Sequence, residues 1–337
     1  MSLDAAVARA FAPAREAMAA GRIPGAVLAA ATRGGARALD FDGAAQRVPT
    51  HAPMCADSIF DLASLTKVVF TTTAILRLVE QGAIALDDPL VAAIPDLRQY
   101  DMEAAERRLT FRACLSHQTF LPHVEPIYAY GLDPQTARAF VLQREWRQGP
   151  PVYSDVNFML LGIAVERLTG KPLEDQPLPP GFMWRPDPGR CVATEACTWR
   201  GRVMRGEVHD ENAYAFGGPC GHAGLFGTAD ALIDFGLALL DHRALSRASL
   251  EAILSPQSAT RLLGWERPHA GWHGGASWSS RTMGHTGFTG VALYVDVERG
   301  RVATLLTNRV HPSRHTDSGI LALRQATCDA LNEAWPA

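Results

Sequence analysis

The fold of this chain is restricted above all by where its strand-like segments fall. Apolar runs of strand length lie near its two ends, and short helical segments broken by Pro and Gly fill the stretch between them. Ile23-Pro24-Gly25-Ala26-Val27-Leu28 followed by Gly34-Gly35 predicts a hairpin. Far along the chain, Arg261–Glu266, His285–Asp296 and Arg301–Asn308 read as strands, and Glu298-Arg299-Gly300 is a hairpin turn between the last two. Helices bracket both groups. An amphipathic helix runs to about Gly21, an apolar one runs from Ser64 to Gln81 and stops at Gly82, and two more cover Ala229–Leu240 and Ser318–Ala330. Antiparallel strands from both ends, flanked by terminal helices, predict an α+β fold: one sheet covered on both faces, with a helical region inserted. On this reading residues 1–85 and 226–337 build the sheet part and residues 86–225 the helical part. Within the insert, Thr136–Trp146 and Asn157–Leu168 read as helices, and the six prolines of residues 171–190 predict an irregular excursion.

With 337 residues, 47% of them hydrophobic and 20% charged, the chain has ordinary globular composition. Its net charge of -3 argues against nucleic acid or an anionic membrane as a partner. No apolar run approaches a membrane span. The N-terminal residues lack a basic start followed by an apolar run, so the expected location is cytoplasmic; an exported protein whose leader has been removed would read the same way. The six cysteines are scattered without a C-x-x-C pair and read as free thiols in a reducing compartment.

Three short motifs carry chemistry. In Ser64-Leu65-Thr66-Lys67, a serine and a lysine three residues apart at a helix start share one face, so the amine can approach Oγ. The free N–H groups of a helix start also suit an oxyanion. Tyr153-Ser154-Asp155 offers a tyrosine that can exchange protons with a serine beside an ammonium group. His285-Thr286-Gly287 opens a strand whose edge can line a substrate, with Gly287 permitting close approach.

In this order and spacing, the motifs resemble the Ser-x-x-Lys, Tyr-x-Asn and Lys/His-Thr-Gly set of class C β-lactamases, penicillin-binding proteins, D-alanyl-D-alanine carboxypeptidases and related esterases. Ile23-Pro24-Gly25-Ala26, Leu115-Ser116-His117 with Leu121-Pro122, and Gly221-His222-Ala223-Gly224-Leu225-Phe226 resemble flanking text of the same family. The resemblance implies a β-lactamase/transpeptidase-like fold and no cofactor. It implies Ser64 as nucleophile, Lys67 and Tyr153 sharing acid and base work, and an oxyanion hole from the N–H groups of Ser64 and Phe288. Asp155, His285, Thr286 and Gly287 would orient the substrate.

Two positions depart from the pattern. Asp155 stands where the β-lactamases have Asn, and a carboxylate there favours the ammonium form of Lys67. His285 stands where most β-lactamases have Lys, and imidazole is only partly charged at neutral pH. The expected reaction is therefore acyl transfer from a carboxylic ester or small amide. A D-alanyl-D-alanine carboxypeptidase or weak β-lactamase is the enzymatic alternative, and a penicillin-binding sensor without turnover is the alternative of another class.

No G-x-S-x-G elbow is present. His311 and His315, with Pro312 between them and no third ligand, do not predict a metal site. His209-Asp210-Glu211 reads as a polar loop near the site. Trp265, Trp272 and Trp278 read as core or as an aromatic wall of the acyl pocket.

Overall fold

The computed structural model describes residues 2–335 and centres on a six-stranded antiparallel sheet. Strands β1 (Gly25–Thr32), β2 (Arg37–Gln46) and β3 (Ala52–Pro53) come from one end of the chain. Strands β4 (Thr282–Thr286), β5 (Ala292–Asp296) and β6 (Arg301–Thr307) come from the other. Their spatial order is β3-β2-β1-β6-β5-β4, with β1 and β6 paired from Ala26 opposite Thr307 to Thr32 opposite Arg301. Around the sheet pack α1 (Leu3–Ala10), α2 (Ala12–Ala19), α3 (Thr73–Glu80), α4 (Asp155–Thr169), α5 (Ala229–Leu240) and α6 (Ile320–Ala334).

The period of two along β1 explains why its sequence is apolar throughout. Val27, Ala29 and Ala31 enter one core, shared with α3, α4 and α5. Ala26, Leu28 and Ala30 enter the other, under α1, α2 and α6. Both faces are covered, so no polar alternation is required. Trp265, Trp272 and Trp278 are all buried core residues, and Trp272 and Trp278 both pack on Tyr294.

Several expectations shift in detail. The N-terminal helix is two helices, broken at Phe11, because Pro13 fits a first helical turn but not an interior one. His285–Asp296 is two strands, since the chain reverses through Gly287–Val291, where the Gly287 N–H donates to the Val291 carbonyl at 2.8 Å. Arg261–Glu266 forms no strand; it folds back on itself at Gly264 (φ 78°), leaving only isolated bridges. After Ser64 the helix opens with a π-helical segment, Lys67–Thr72, before α3. Thr72 and Thr73 hydroxyls donate to the Lys67 and Val68 carbonyls at 2.7 and 3.1 Å, which satisfies the wide turn from within. Among the described residues, no helix is long and apolar enough to cross a membrane.

Candidate active site

Ser64 lies at a tight reversal between the short strand Phe60–Asp61 and the π-helical segment. The preceding Ala63 has φ 44°, in the left-handed region that is costly for alanine. Asp61 holds it there, its Oδ1 accepting from the Ala63 N–H at 2.8 Å and its Oδ2 from the His209 N–H at 2.6 Å. The Asp61 carbonyl accepts from Thr289 Oγ1 at 2.8 Å. One buried residue thus ties together the Ser64 reversal, the 209–211 loop and the turn after β4. Burial pushes the Asp61 carboxyl pKa above its ordinary value, against the pull of those main-chain donors.

Lys67 is fully buried, and its ammonium has two hydrogen-bond acceptors and one carboxylate partner. Nζ lies 2.8 Å from Ser64 Oγ, 2.8 Å from Asp155 Oδ1 and 3.1 Å from the His222 carbonyl. Burial disfavours the charge, but the Asp155 carboxylate and Tyr153 together raise the Lys67 pKa above the ordinary lysine value. The ring faces of Tyr153 and Phe158 lie 5.1 and 5.7 Å from Nζ. Such a lysine rests as an ammonium ion donating to Ser64, and becomes a base only after losing a proton.

Asp155 is the first residue of α4, and Tyr153 precedes it in extended chain. The Tyr153 ring packs against His117 with centroids 4.4 Å apart, and burial raises its hydroxyl pKa although Lys67 lowers it. His117 Nδ1 accepts from the Ser154 N–H at 3.1 Å, so His117 orients the Tyr153-Ser154-Asp155 segment as a neutral ring. Burial, helped by Arg261 and Lys67, holds its pKa well below the ordinary value.

His285 sits on β4, the edge strand, opposite Leu293 of β5. Its Nδ1 donates to the Thr286 carbonyl at 2.8 Å, and burial lowers its pKa to about 3 despite Glu266 nearby. The part-charged imidazole expected from the sequence is therefore a neutral one. Positive charge on this side belongs to Arg261, Arg309 and Arg324, which line the cleft with Ser64, Tyr153, His285, Thr286, Gly287 and Phe288. Arg261 is paired with Glu266 at 2.6 Å and lies 5.2 Å from the centre of the Tyr153 ring. A Cβ on Gly287 would stand 2.7 Å from the Leu62 carbonyl, so this approach of strand edge to Ser64 reversal requires glycine.

On the other side of Ser64 the cleft opens to about 400 Å³, lined by His123, Tyr128, Asp155, Asp210, Glu211, Asn212, Phe288 and Arg314 among others. Asp210 caps the short helix Glu211–Ala215 and accepts from His222 Nε2 at 2.8 Å. Burial alone would neutralise that pair, but mutual attraction raises the His222 pKa well above, and drops the Asp210 pKa well below, the ordinary values. Asp155, Asp210 and His222 bring ligand atoms within 4.8 Å of one another, the spacing of a cation site. Lys67 and the His222 imidazolium already meet those carboxylates. His209 and Arg314 share Glu195, at 3.0 and 2.6 Å, and His209 stacks on Phe288.

The structure thus brings Ser64, Lys67, Tyr153, Asp155, His285, Thr286, Gly287 and Phe288 around one cleft. The His209-Asp210-Glu211 loop lies beside it. His311 does not; Nε2 accepts from the Arg47 N–H at 2.8 Å and Nδ1 donates to the Thr194 carbonyl at 3.0 Å. Sequence reasoning missed Asp61, Arg261 and the tie of His222 to Asp210. Only His222 carried a signal, within its glycine-rich turn.

The β-lactamase family profile matches residues 12–327, and the chain belongs to that family of hydrolases. It is 30% identical to an N-acetylmuramyl-L-alanine amidase of Bacillus subtilis (strain 168), over 77% of this chain and 70% of that one. It is 28% identical to a putative D-alanyl-D-alanine carboxypeptidase of Salmonella agona (strain SL483), over 76% and 70% of the two. Among solved structures it resembles EstCE1, a hydrolase with promiscuous acyltransferase activity, with TM-score 0.74, 19% identity and coverage of 98% and 99%. The fold is the β-lactamase/transpeptidase-like one.

Proposed function

We propose that this chain is a serine hydrolase that forms an acyl-enzyme at Ser64 and acts on amides or esters of carboxylic acids. The observation that carries the reading is the 2.8 Å contact of Lys67 Nζ with Ser64 Oγ inside a cleft. Lys67, once a free amine, takes the Ser64 proton as Oγ bonds to the substrate carbonyl carbon. Tyr153, whose ring lies 5.1 Å from Lys67 Nζ, gives its hydroxyl proton to the leaving nitrogen or oxygen as that bond to carbon breaks, and the phenolate takes the proton from the Lys67 ammonium, which restores the free amine. Water then repeats the sequence and frees the acid. The N–H groups of Ser64 and Phe288, which have no main-chain acceptor among the described residues, would donate to the developing oxyanion. Arg309 Nε holds the Phe288 carbonyl at 2.8 Å, which supports that placement.

Amide cleavage gains support from the similarity to an amidase and a carboxypeptidase. The three arginines against one glutamate on the His285 side favour a leaving group that carries a carboxylate. The six cysteines are free and five of them buried, which supports a reducing compartment. The test is intact-mass and fluorophosphonate labelling of wild-type protein and Ser64→Ala. The expected result is one adduct, mapped to Ser64 and absent from the variant; labelling of the variant at another serine overturns the assignment. A penicillin adduct that never clears, together with no turnover of any ester or amide, would identify the sensor instead.

A further inference from the structure

The Phe288 N–H lies in a turn that its own main chain restrains weakly. In Gly287-Phe288-Thr289-Gly290 a glycine stands at each end, Gly290 has φ 115°, and the Gly290 N–H donates to the Gly287 carbonyl at 3.1 Å. Glycine restricts the backbone least, so the direction of the N–H between the two depends on support from elsewhere. Side chains supply it. The Phe288 ring, although 48% exposed, is met by His209 with centroids 5.7 Å apart and planes 21° apart. The guanidinium carbons of Arg309 and Arg314 lie 4.6 and 5.5 Å from its centre.

Two of these three groups converge on one carboxylate. Glu195, on the strand Ala193–Cys197, accepts from His209 Nε2 at 3.0 Å, from Arg314 Nε at 2.7 Å and from the Arg314 main-chain N–H at 3.0 Å. Burial alone would raise the Glu195 pKa, but the bonds from His209 and Arg314 bring it far below the ordinary carboxylate value, so it stays ionised. At 6% exposure it is out of reach of a substrate, and any effect on rate passes through its partners. We infer that Glu195 is a positioning residue of the reaction: through His209 and Arg314 it sets the Phe288 ring, and through the ring the direction of the Phe288 N–H. The inference rests on the hydrolase reading and on Phe288 as an oxyanion donor. The other role open to this ring is an apolar wall for the acyl group. A wall needs only bulk and gives no reason for an ionised, desolvated carboxylate behind the ring.

The test is a mutant cycle read with two matched probes, p-nitrophenyl butyrate and propylboronic acid. Both offer the same propyl group to the acyl side. Boron, however, takes a bond from Ser64 Oγ and becomes a tetrahedral anion with an oxygen where the oxyanion forms. Glu195→Gln keeps the shape and removes the charge. It should lower kcat/KM and boronate affinity together by about tenfold, inside the roughly 10²–10³-fold cost of an oxyanion donor lost outright. Phe288→Ala should lose at least as much, and Phe288→Tyr, which keeps the ring, should match wild type. In the Phe288→Ala background Glu195→Gln should cost nothing further. Thermal melts confirm that each variant is folded, and Glu195→Asp, which draws both links back by one methylene, takes the place of Glu195→Gln if that variant does not fold. Losses that multiply in the double variant, or slower ester hydrolysis with boronate affinity intact, would overturn the inference. Unaffected Glu195 variants of an active enzyme would overturn it alone, whereas a wild type that neither hydrolyses the ester nor binds the boronate would overturn the hydrolase reading as well.

Discussion

Asp155→Asn isolates one charge. The substitution keeps side-chain shape and removes a carboxylate 2.8 Å from Lys67 Nζ. At an effective dielectric of about 20, Coulomb's law gives an attraction of roughly 6 kcal/mol at that separation. This is an upper bound, because the Asp155 side chain is 30% exposed and solvent screens it. Opposite charges at such range ordinarily move a pKa by about one to three units, or roughly 1.4–4 kcal/mol. The sign follows from which form is active. If the free amine of Lys67 receives the Ser64 proton, the acid limb of kcat/KM follows proton loss from Lys67. The carboxylate raises that pKa and the amide does not, so the limb should move to lower pH by about one to three units. Because wild-type Lys67 titrates above the ordinary lysine value, kcat/KM for one uncharged ester is followed from pH 6 to 11 against an enzyme-free blank, for wild type and variant side by side, and the shift appears as a gain of the variant wherever both profiles are still rising. An unmoved limb would refute the role of Asp155 in holding the ammonium form. A limb that moves up, with activity lost at neutral pH, would show instead that Asp155 stores the proton Lys67 must shed.

Lys67 and Tyr153 should act as a unit, so the double variant should lose little more activity than the worse single one; each single loss should reach about 10²–10⁴-fold, and multiplicative losses would reject a shared proton path. Because His285 titrates near about 3, kcat/KM for a carboxylate-bearing substrate should show no inflection near the ordinary imidazole value, a profile readable between pH 5 and 8. Arg261→Ala should weaken that substrate more than its methyl ester, and parallel losses for the pair would remove Arg261 from carboxylate recognition. Gly221→Ala should destabilise the fold by about 1–3 kcal/mol in a denaturant titration, since its new Cβ would stand 2.0 Å from the Phe158 carbonyl in α4.

The legible parts of this chain were those whose reasons are local. Ser64 and Lys67 share a face because three residues nearly complete a helical turn, and that arithmetic needs no tertiary information. The β5–β6 hairpin followed from its turn residues, and β1 from its unbroken apolar run. What stayed hidden depends on long-range closure. Asp61 is an ordinary acidic residue until the fold sets it beside residues 209 and 289, which lie 148 and 228 positions away. The neutrality of His285 depends on its burial and on the charges of Lys67 and Arg261, which no pattern around His-Thr-Gly reveals. The reversal at Gly287–Val291 was hidden because the flanking residues are equally strand-like, so periodicity alone carried the strand straight through. The π-helical opening after Ser64 left a trace only in the run Thr71-Thr72-Thr73, whose hydroxyls serve carbonyls the wider turn and the glycine-rich turn leave open.

Charge order along the cleft gives the substrate a direction, and that direction is itself testable. Ser64 lies between Asp210 and Glu211 on one side and Arg261, Arg309 and Arg324 on the other. Salt bridges temper both halves: Arg314 engages Glu211, the His222 imidazolium engages Asp210, and Glu266 engages Arg261. The arginine side keeps the larger surplus, since Arg324 Nη2 donates to the Gly287 and Val291 carbonyls and Arg309 Nε to the Phe288 carbonyl, neutral acceptors that leave both charges uncompensated. A substrate with its carboxylate on the leaving group meets that surplus, while its isomer with the carboxylate on the acyl part meets Asp210 and Glu211. The two isomers contain the same atoms and net charge but differ in intrinsic reactivity, so their kcat/KM ratio is divided by the ratio of their uncatalysed hydrolysis rates, and what remains reports orientation. The first should be favoured by about tenfold or more, equivalent to roughly 1.4 kcal/mol. Raising ionic strength should narrow the gap, because the charges at the mouth are partly exposed and screening reaches them. Equal rates for the isomers, or a preference that salt leaves untouched, would mean that shape and not this charge order sets the direction of binding.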